Sequence, residues 1–343
     1  MRWSWSPRHS GRNKAPPARG LRSGRDAGSF ARVPLTLATF NLKDFFPQPG
    51  LDFAAKVAWT AAMIARLDTD VLGLQEVGPR ATIDALLARM AGGGGYRDIV
   101  VGTPDARGIR CAVLSRLPIT RSHVHTAESL PFPVFQDGDP PPFRGRIPLR
   151  RGVVYARVNA GALGSVDVMV AHFKSRRAVP MKAANGEPLA PTTQRELAEA
   201  ELRSLLWRAS EALYVRGLVD EVFASEPAAR LAVLGDLNDV AGSMPVELLC
   251  GNASNAGALS SCAERVVLEQ RFSIRYEGGR LQIDHILASA PLFARLSEGR
   301  FFNDELREHA PLPSVEVVAS PARASEPAPT LDSDHAPFVA RFE

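Results

Sequence analysis

The sequence predicts an α/β fold, and three observations carry that prediction. A four-residue apolar run, Leu231 to Leu234, has the composition of a strand buried on both faces. A strand-helix-strand pattern over Leu35 to Phe40, Phe53 to Leu67 and Val71 to Leu74 implies two parallel strands joined by a right-handed crossover. A chain of 343 residues, 45% of them hydrophobic, is also long enough to bury a large core, as one big domain or two ordinary ones.

Each element has its own signal. At the end of the first strand stands Asn41, and the crossover brings it towards Glu76, which follows the apolar run VLGLQ. A carboxylate there is either a ligand for a hard metal or a residue emerging into solvent. The helix between them repeats apolar residues at Phe53, Val57, Ala61, Ile64 and Leu67. A short helix follows over Ile83 to Met90 and is broken by Gly92 to Gly95, a turn that lacks the Gly-Lys-Ser/Thr of a phosphate loop. Strands are expected over Arg97 to Val101 and Ile109 to Ser115, and His123 and His125 alternate on a further extended segment. Pro131 to Pro148 is too rich in proline for a helix or central strand.

Arg151 leads into a strand over Val153 to Val158, and the next, Val166 to Ala171, runs into His172, Phe173, Lys174 and Ser175. A histidine and a lysine sharing a face at a strand end suit anion binding and proton donation. Ala178 to Thr193 reads as loop and Glu196 to Phe223 as the longest helix. In the central run LAVLGDLND, Gly235 permits close backbone approach, and Asp236 and Asn238 are expected to project together. Asp284 lies inside the apolar stretch LQIDHIL, where an unpaired carboxylate costs several kcal/mol, so it needs a partner and a histidine is the obvious one. Ala310 to Thr330 reads as loop, ahead of Ser333, Asp334, His335 and a last strand over Phe338 to Phe342.

Charge and cysteine content narrow the class further. Met1 to Val33 holds eight basic residues and one acid, leaving 33 basic and 36 acidic residues and a net charge of −3 elsewhere. That basic segment, 1–33, is rich in Arg, Ser, Gly and Pro and reads as a disordered extension or a mistaken start, with a DNA-tethering arm as the weaker alternative. It lacks the apolar h-region of a signal peptide, so the default location is cytoplasmic, with secretion requiring a misassigned start. Nucleic-acid contact by the remaining 34–343 must then come from a local basic patch. Cys111, Cys250 and Cys262 form neither a disulfide framework nor a zinc pattern, although a Cys250–Cys262 bridge is open if the protein is exported. No apolar run approaches the roughly 18 residues of a membrane span.

Taken together and in order, FNL, LQE, GDLND, IDH and SDHAP resemble the endonuclease/exonuclease/phosphatase superfamily, the DNase I-like fold, over Leu35 to Glu343. The form HFKS followed by GDLND and DHIL is most like bacterial DNases of the extracellular type. The resemblance implies a four-layer α/β sandwich of two mixed β-sheets with helices outside, and metal-dependent cleavage of phosphoesters. Mg²⁺ is the implied ion, with Mn²⁺ or Ca²⁺ as alternatives. Glu76 would hold it, with Asn41 and Asp334 close by. His335, oriented by Asp284, and Asp236 with Asn238 would act on the water and the phosphoryl oxygens, the base being either His335 or Asp236. His172 would assist the leaving oxygen, while Lys174 and Arg151 would contact phosphate. A DNA endonuclease is the leading reading. A phospholipid or inositol-phosphate headgroup hydrolase and a non-catalytic binding module are the alternatives.

Overall fold

The computed structural model describes residues 34–140, 142–143, 145–276, 279–308 and 329–343. The basic extension and most of the predicted Ala310 to Thr330 loop lie outside these residues. In chain order the elements are β1 (Leu35–Phe45), α1 (Phe53–Leu67), β2 (Val71–Val77), α2 (Arg80–Arg89), β3 (Asp98–Val101), β4 (Arg110–Ser115) and β5 (Ile119–His125). Next come β6 (Val153–Asn159), β7 (Ser165–His172), the small pair β8 (Met181–Lys182) and β9 (Pro188–Leu189), α3 (Gln194–Ser225), β10 (Leu231–Asp236) and α4 (Met244–Cys250). The chain closes with β11 (Leu259–Ser261), β12 (Ile274–Tyr276), β13 (Gly279–Leu281), β14 (Asp284–Ser289), α5 (Ala290–Phe293), β15 (Leu296–Phe301) and β16 (Phe338–Phe342).

Two six-stranded sheets result, ordered β15-β16-β1-β2-β4-β3 and β11-β14-β10-β7-β6-β5. Each is mixed: β1 and β2 run parallel in the first, as β7 and β10 do in the second, and other neighbours are antiparallel. Strand side chains alternate between faces, and this sorts the core into layers. Leu35 and Leu37 of β1 pack against Val168, Val170, Ala232, Leu234 and Ile286 of the second sheet. The opposite face of β1, Ala38 and Phe40, packs under α1 and α2 with Ile64 and Ile83. Leu231 and Val233 of β10 pack under α3 and α4 with Val215 and Leu249. The four-layer sandwich follows from strands that are apolar on both faces.

The helices start where local chemistry supplies caps. Asp52 accepts a hydrogen bond from Ala55 N at the start of α1, and Thr193 and Glu196 form a reciprocal capping box on α3. Close sheet packing needs small residues at two points. A Cβ on Gly73 of β2 would stand 2.1 Å from Leu234 Cδ1, and one on Gly235 (φ +148°) would stand 1.8 Å from Ala171 O.

Two expectations about the strands need correction. β1 does not stop at Phe40 or Asn41. Its pairing with β2 is regular to Asn41↔Gln75, breaks, and resumes at Phe45↔Val77, with Lys43 and Asp44 at positive φ. LQIDHIL is not one strand either: β13 ends at Leu281 and Asp284 opens β14. All three cysteines are free. No helix among the described residues is long and apolar enough to cross a membrane.

Candidate active site

The alternation that builds the inter-sheet core also builds the site. Inward-facing series run 35, 37, 39, 41 in β1, 166, 168, 170, 172 in β7, and 232, 234, 236 in β10. β14 runs antiparallel to β10, with Asp284 opposite Asp236, so its inward series begins at Asp284 on the same edge. Asn41, His172, Asp236 and Asp284 therefore meet where the apolar interior ends. All four are buried.

Asp236 is the point of convergence. Its Oδ2 accepts from Asn41 Nδ2 at 3.0 Å, across the two sheets, and from Asn238 Nδ2 at 3.2 Å. His172 Nε2 lies 3.4 Å from the same oxygen and His335 Nε2 3.9 Å. Its Oδ1 accepts from Asn238 N at 2.9 Å. Asn238 reaches this position through a left-handed backbone (φ 53°), and its Nδ2 also donates to Phe173 O. Burial raises the Asp236 carboxyl pKa to about 7 against the pull of the His335 charge.

Asp284 has the histidine partner its burial demands: His335 Nδ1 donates to its Oδ2 at 2.7 Å. Burial alone would lower the pKa of His335, but the carboxylates of Asp284 and Asp236 outweigh it and hold the ring well above its usual range. His172 goes the other way, because burial and then the charges of Arg151 and His335 push its pKa well below the ordinary value. The two rings are thus pushed in opposite directions, His335 towards its charged form and His172 towards its neutral one. Two buried atoms, His172 Nδ1 and Asp284 Oδ1, have no hydrogen-bond partner among the described residues.

Glu76 sits in a bulge where β2 slips against both neighbours, and its φ is +59°. A left-handed glutamate costs on the order of 1–2 kcal/mol, and the bulge re-aims its side chain. Glu76 Oε2 accepts from Asp44 N at 3.0 Å. Oε1 faces Arg107 at 3.6 Å and His172 Nε2 at 3.9 Å, beyond hydrogen-bonding reach of both. Arg107 also lies 3.8 Å from Asp44 Oδ1, and Lys43 Nζ pairs with Asp334 Oδ2 at 2.8 Å.

The model for the Endonuclease/Exonuclease/phosphatase family matches residues 38–335. The chain belongs to that family. Among solved structures it is similar to an endonuclease/exonuclease/phosphatase protein from Bacteroides vulgatus, at 17% identity and TM-score 0.56 over 91% of this chain and 99% of that one. It is similar to Danio rerio TDP2 complexed with a single-strand DNA product, at 15% identity and TM-score 0.54 over 90% and 99%. A mannosyl-6-phosphatase from Bacteroides thetaiotaomicron matches at 17% identity and TM-score 0.55 over 89% and 98%. No curated protein matches the chain by sequence. Members of the family are phosphoester hydrolases that generally use divalent metals.

The residues present fit such an ion. Glu76, Asp44 and Asp334 offer carboxylate oxygens, the donors a hard cation prefers, and Arg107 and Lys43 mark the negative potential they create. Asp236, Asp284 and His335 also lie close enough together to hold an ion. Their geometry is better explained as a hydrogen-bonded dyad beside an acceptor, since His335 Nδ1 is committed to Asp284. The Asn41 amide is engaged at both ends, accepting from Lys43 N through Oδ1 and donating to Asp236.

Of the ten residues singled out in the sequence, eight gather at this edge and two turn away. Lys174 Nζ donates to Ser175 O and Arg177 O, both at 2.8 Å, and Arg151 donates to His172 O and Phe173 O. Both cations brace the backbone that carries His172. Asp44 and Arg107 reach the site without having been singled out. The sequence hides Asp44 because two successive left-handed residues bring it round, and Arg107 because it stands in the loop between β3 and β4, marked only by an Asp-x-Arg-Gly turn.

Proposed function

We propose that this chain is a metal-dependent phosphodiesterase that hydrolyses nucleic acid, in the specific form of a DNA endonuclease. The observation that carries the chemistry is the convergence of Asn41, Asn238, His172 and the Asp284–His335 dyad on a single oxygen of Asp236. A phosphodiester resists attack because it is negatively charged, so hydrolysis needs charge neutralisation on its oxygens and a base for the water. Asp236, held by two amides, takes the proton from the water. His335, held by Asp284 with its Nε2 turned towards Asp236, presents positive charge and a donor N–H to a phosphoryl oxygen. His172 fixes Asp236 from the far side. A divalent ion would be held by Glu76, with Asp44 and Asp334 beside it, and would supply Lewis-acid neutralisation of the phosphoryl oxygens.

Nucleic acid as substrate is supported by the likeness to a TDP2 bound to single-strand DNA. A second reading, hydrolysis of a phospholipid headgroup, is favoured by one feature. The loop between β5 and β6 carries Phe135 with 96% of its surface exposed, beside the half-exposed Val134. Plasmid nicking and headgroup release, run side by side with Mg²⁺ and with a chelator, test the two. Nicking that the chelator abolishes supports the nuclease. Headgroup release without nicking would replace it, and neither activity would remove both.

A further inference from the structure

With a net charge of −3 outside residues 1–33, a polyanion needs a local concentration of cations on the folded body. One is built on the turn that leaves the site after His172. Lys174, buried, donates through Nζ to Ser175 O, Ser175 Oγ and Arg177 O. Ser175 O accepts further from Ser204 Oγ at 3.0 Å and Arg208 NH1 at 3.3 Å, and Arg208 is itself buried and paired with Asp239. This lattice fixes the backbone of 174–177. The side chains of Arg176 and Arg177 are left exposed, with no hydrogen bond or ion pair among the described residues.

Arg150 stands at the foot of the long loop, close enough to Lys174, just before that turn, for its charge to act on it. Its guanidinium lies 5.6 Å over the Trp207 ring, and Trp207 is locked by a hydrogen bond from Nε1 to Pro148 O. No carboxylate pairs with Arg150 among the described residues, and burial with the neighbouring Arg151 charge lowers its pKa. A guanidinium held by an aromatic face, unpaired and part-exposed, is preorganised for a phosphate.

We infer that Arg150, Arg176 and Arg177 form a second anion subsite, which holds a neighbouring phosphate of a polynucleotide strand while the scissile phosphate is engaged at His335. The inference rests on the phosphodiesterase reading and sharpens it. Arg176 follows His172 by four residues, so their Cα atoms are at most about 14 Å apart, a span of a few nucleotides. A substrate with a single phosphate has nothing to place there.

The test is binding without turnover. A fluorescein-labelled DNA single strand of about 20 nucleotides is titrated with the full chain in a chelator, at several salt concentrations, by fluorescence anisotropy. Arg176→Ala/Arg177→Ala should weaken binding about 10-fold and reduce the salt slope by about 1.4, some 0.7 per lost phosphate contact. Arg150→Ala should reduce the slope by about half as much. Arg89→Ala/Arg97→Ala, which removes the same charge from exposed positions on the first-sheet side, should leave the slope unchanged. An unchanged slope in the first pair, an equal drop in the control pair, or no DNA binding by the wild type overturns the inference. Binding that follows this pattern without any cleavage in Mg²⁺ would instead remove the phosphodiesterase reading and leave the subsite standing.

Discussion

Removing His335 should destabilise the protein more than removing the residue that holds it, and the two changes should not add. Asp284 is fully buried, with one oxygen bonded to His335 and the other without a partner. In His335→Ala the buried carboxylate loses its counter-charge, which costs about 3–5 kcal/mol and, at roughly 2–4 °C per kcal/mol for a large domain, lowers Tm by about 10 °C. In Asp284→Asn the amide oxygen still accepts from Nδ1, so the cost is only about 1–2 kcal/mol. The double variant has no charge left to compensate and should be more stable than His335→Ala alone. Asp284→Asn thus changes sign with its background. His335 has its pKa raised on folding, so its stabilisation is full below the unfolded pKa and is lost as pH rises through the folded one. Activity should show the same coupling: each single change costs about 10²- to 10⁴-fold, and the double little more than the worse single. Scanning fluorimetry and initial rates at saturating Mg²⁺ on one substrate read both. Tm losses that sum and rate losses that multiply would refute the pairing.

Three further outcomes are expected. Glu76→Gln keeps an acceptor for Asp44 N, so Tm should move by no more than about 2 °C while Mg²⁺-dependent hydrolysis falls at least about 100-fold; near-normal rates would exclude Glu76 as a ligand. Gly235→Ala puts a methyl group 1.8 Å from Ala171 O in the central strand pair and should abolish soluble expression, whereas an ordinary yield would mean that the strands can part. Glu211, buried in α3 and accepting from Lys174 N, has its carboxyl pKa raised by burial from 4.5 to about 7. The folded state then binds more protons between these values, so stability falls as pH rises across that window, by on the order of 3 kcal/mol, and Glu211→Gln should flatten the fall in Tm between pH 5 and pH 8.

What the sequence made legible was whatever follows from strand periodicity and burial cost. The apolar runs at Leu231 and Val71 became the strands they promised, and the need of Asp284 for a histidine is met by His335. Left-handed residues were not legible. Lys43, Asp44, Glu76 and Asn238 all have positive φ, a conformation no propensity assigns to them, and it is these four that bend the strand ends into a site. Long cations were hard to place for a different reason. Lys174 and Arg151 have the charge for phosphate, but four backbone carbonyls and a carboxylate lie nearer. Only the tertiary placement of the Ser175 turn reveals that Arg176, one position on, keeps its charge for solvent.

The strand order of the first sheet has a consequence for how the protein is made. β1 lies between β2 and β16, so during synthesis one edge of β1 stays open until Phe338–Phe342, far along the chain, closes it. Asp334 and His335 arrive just before that strand, so until then Asp284 is without its histidine partner. During that interval the nascent chain carries an uncovered β-edge, the kind of surface that mispairs with other chains. A ribosome-stalled chain ending at Ala336 should accordingly be protease-sensitive and inactive, and a fully active one would show that β1 and β2 dock without their last neighbour.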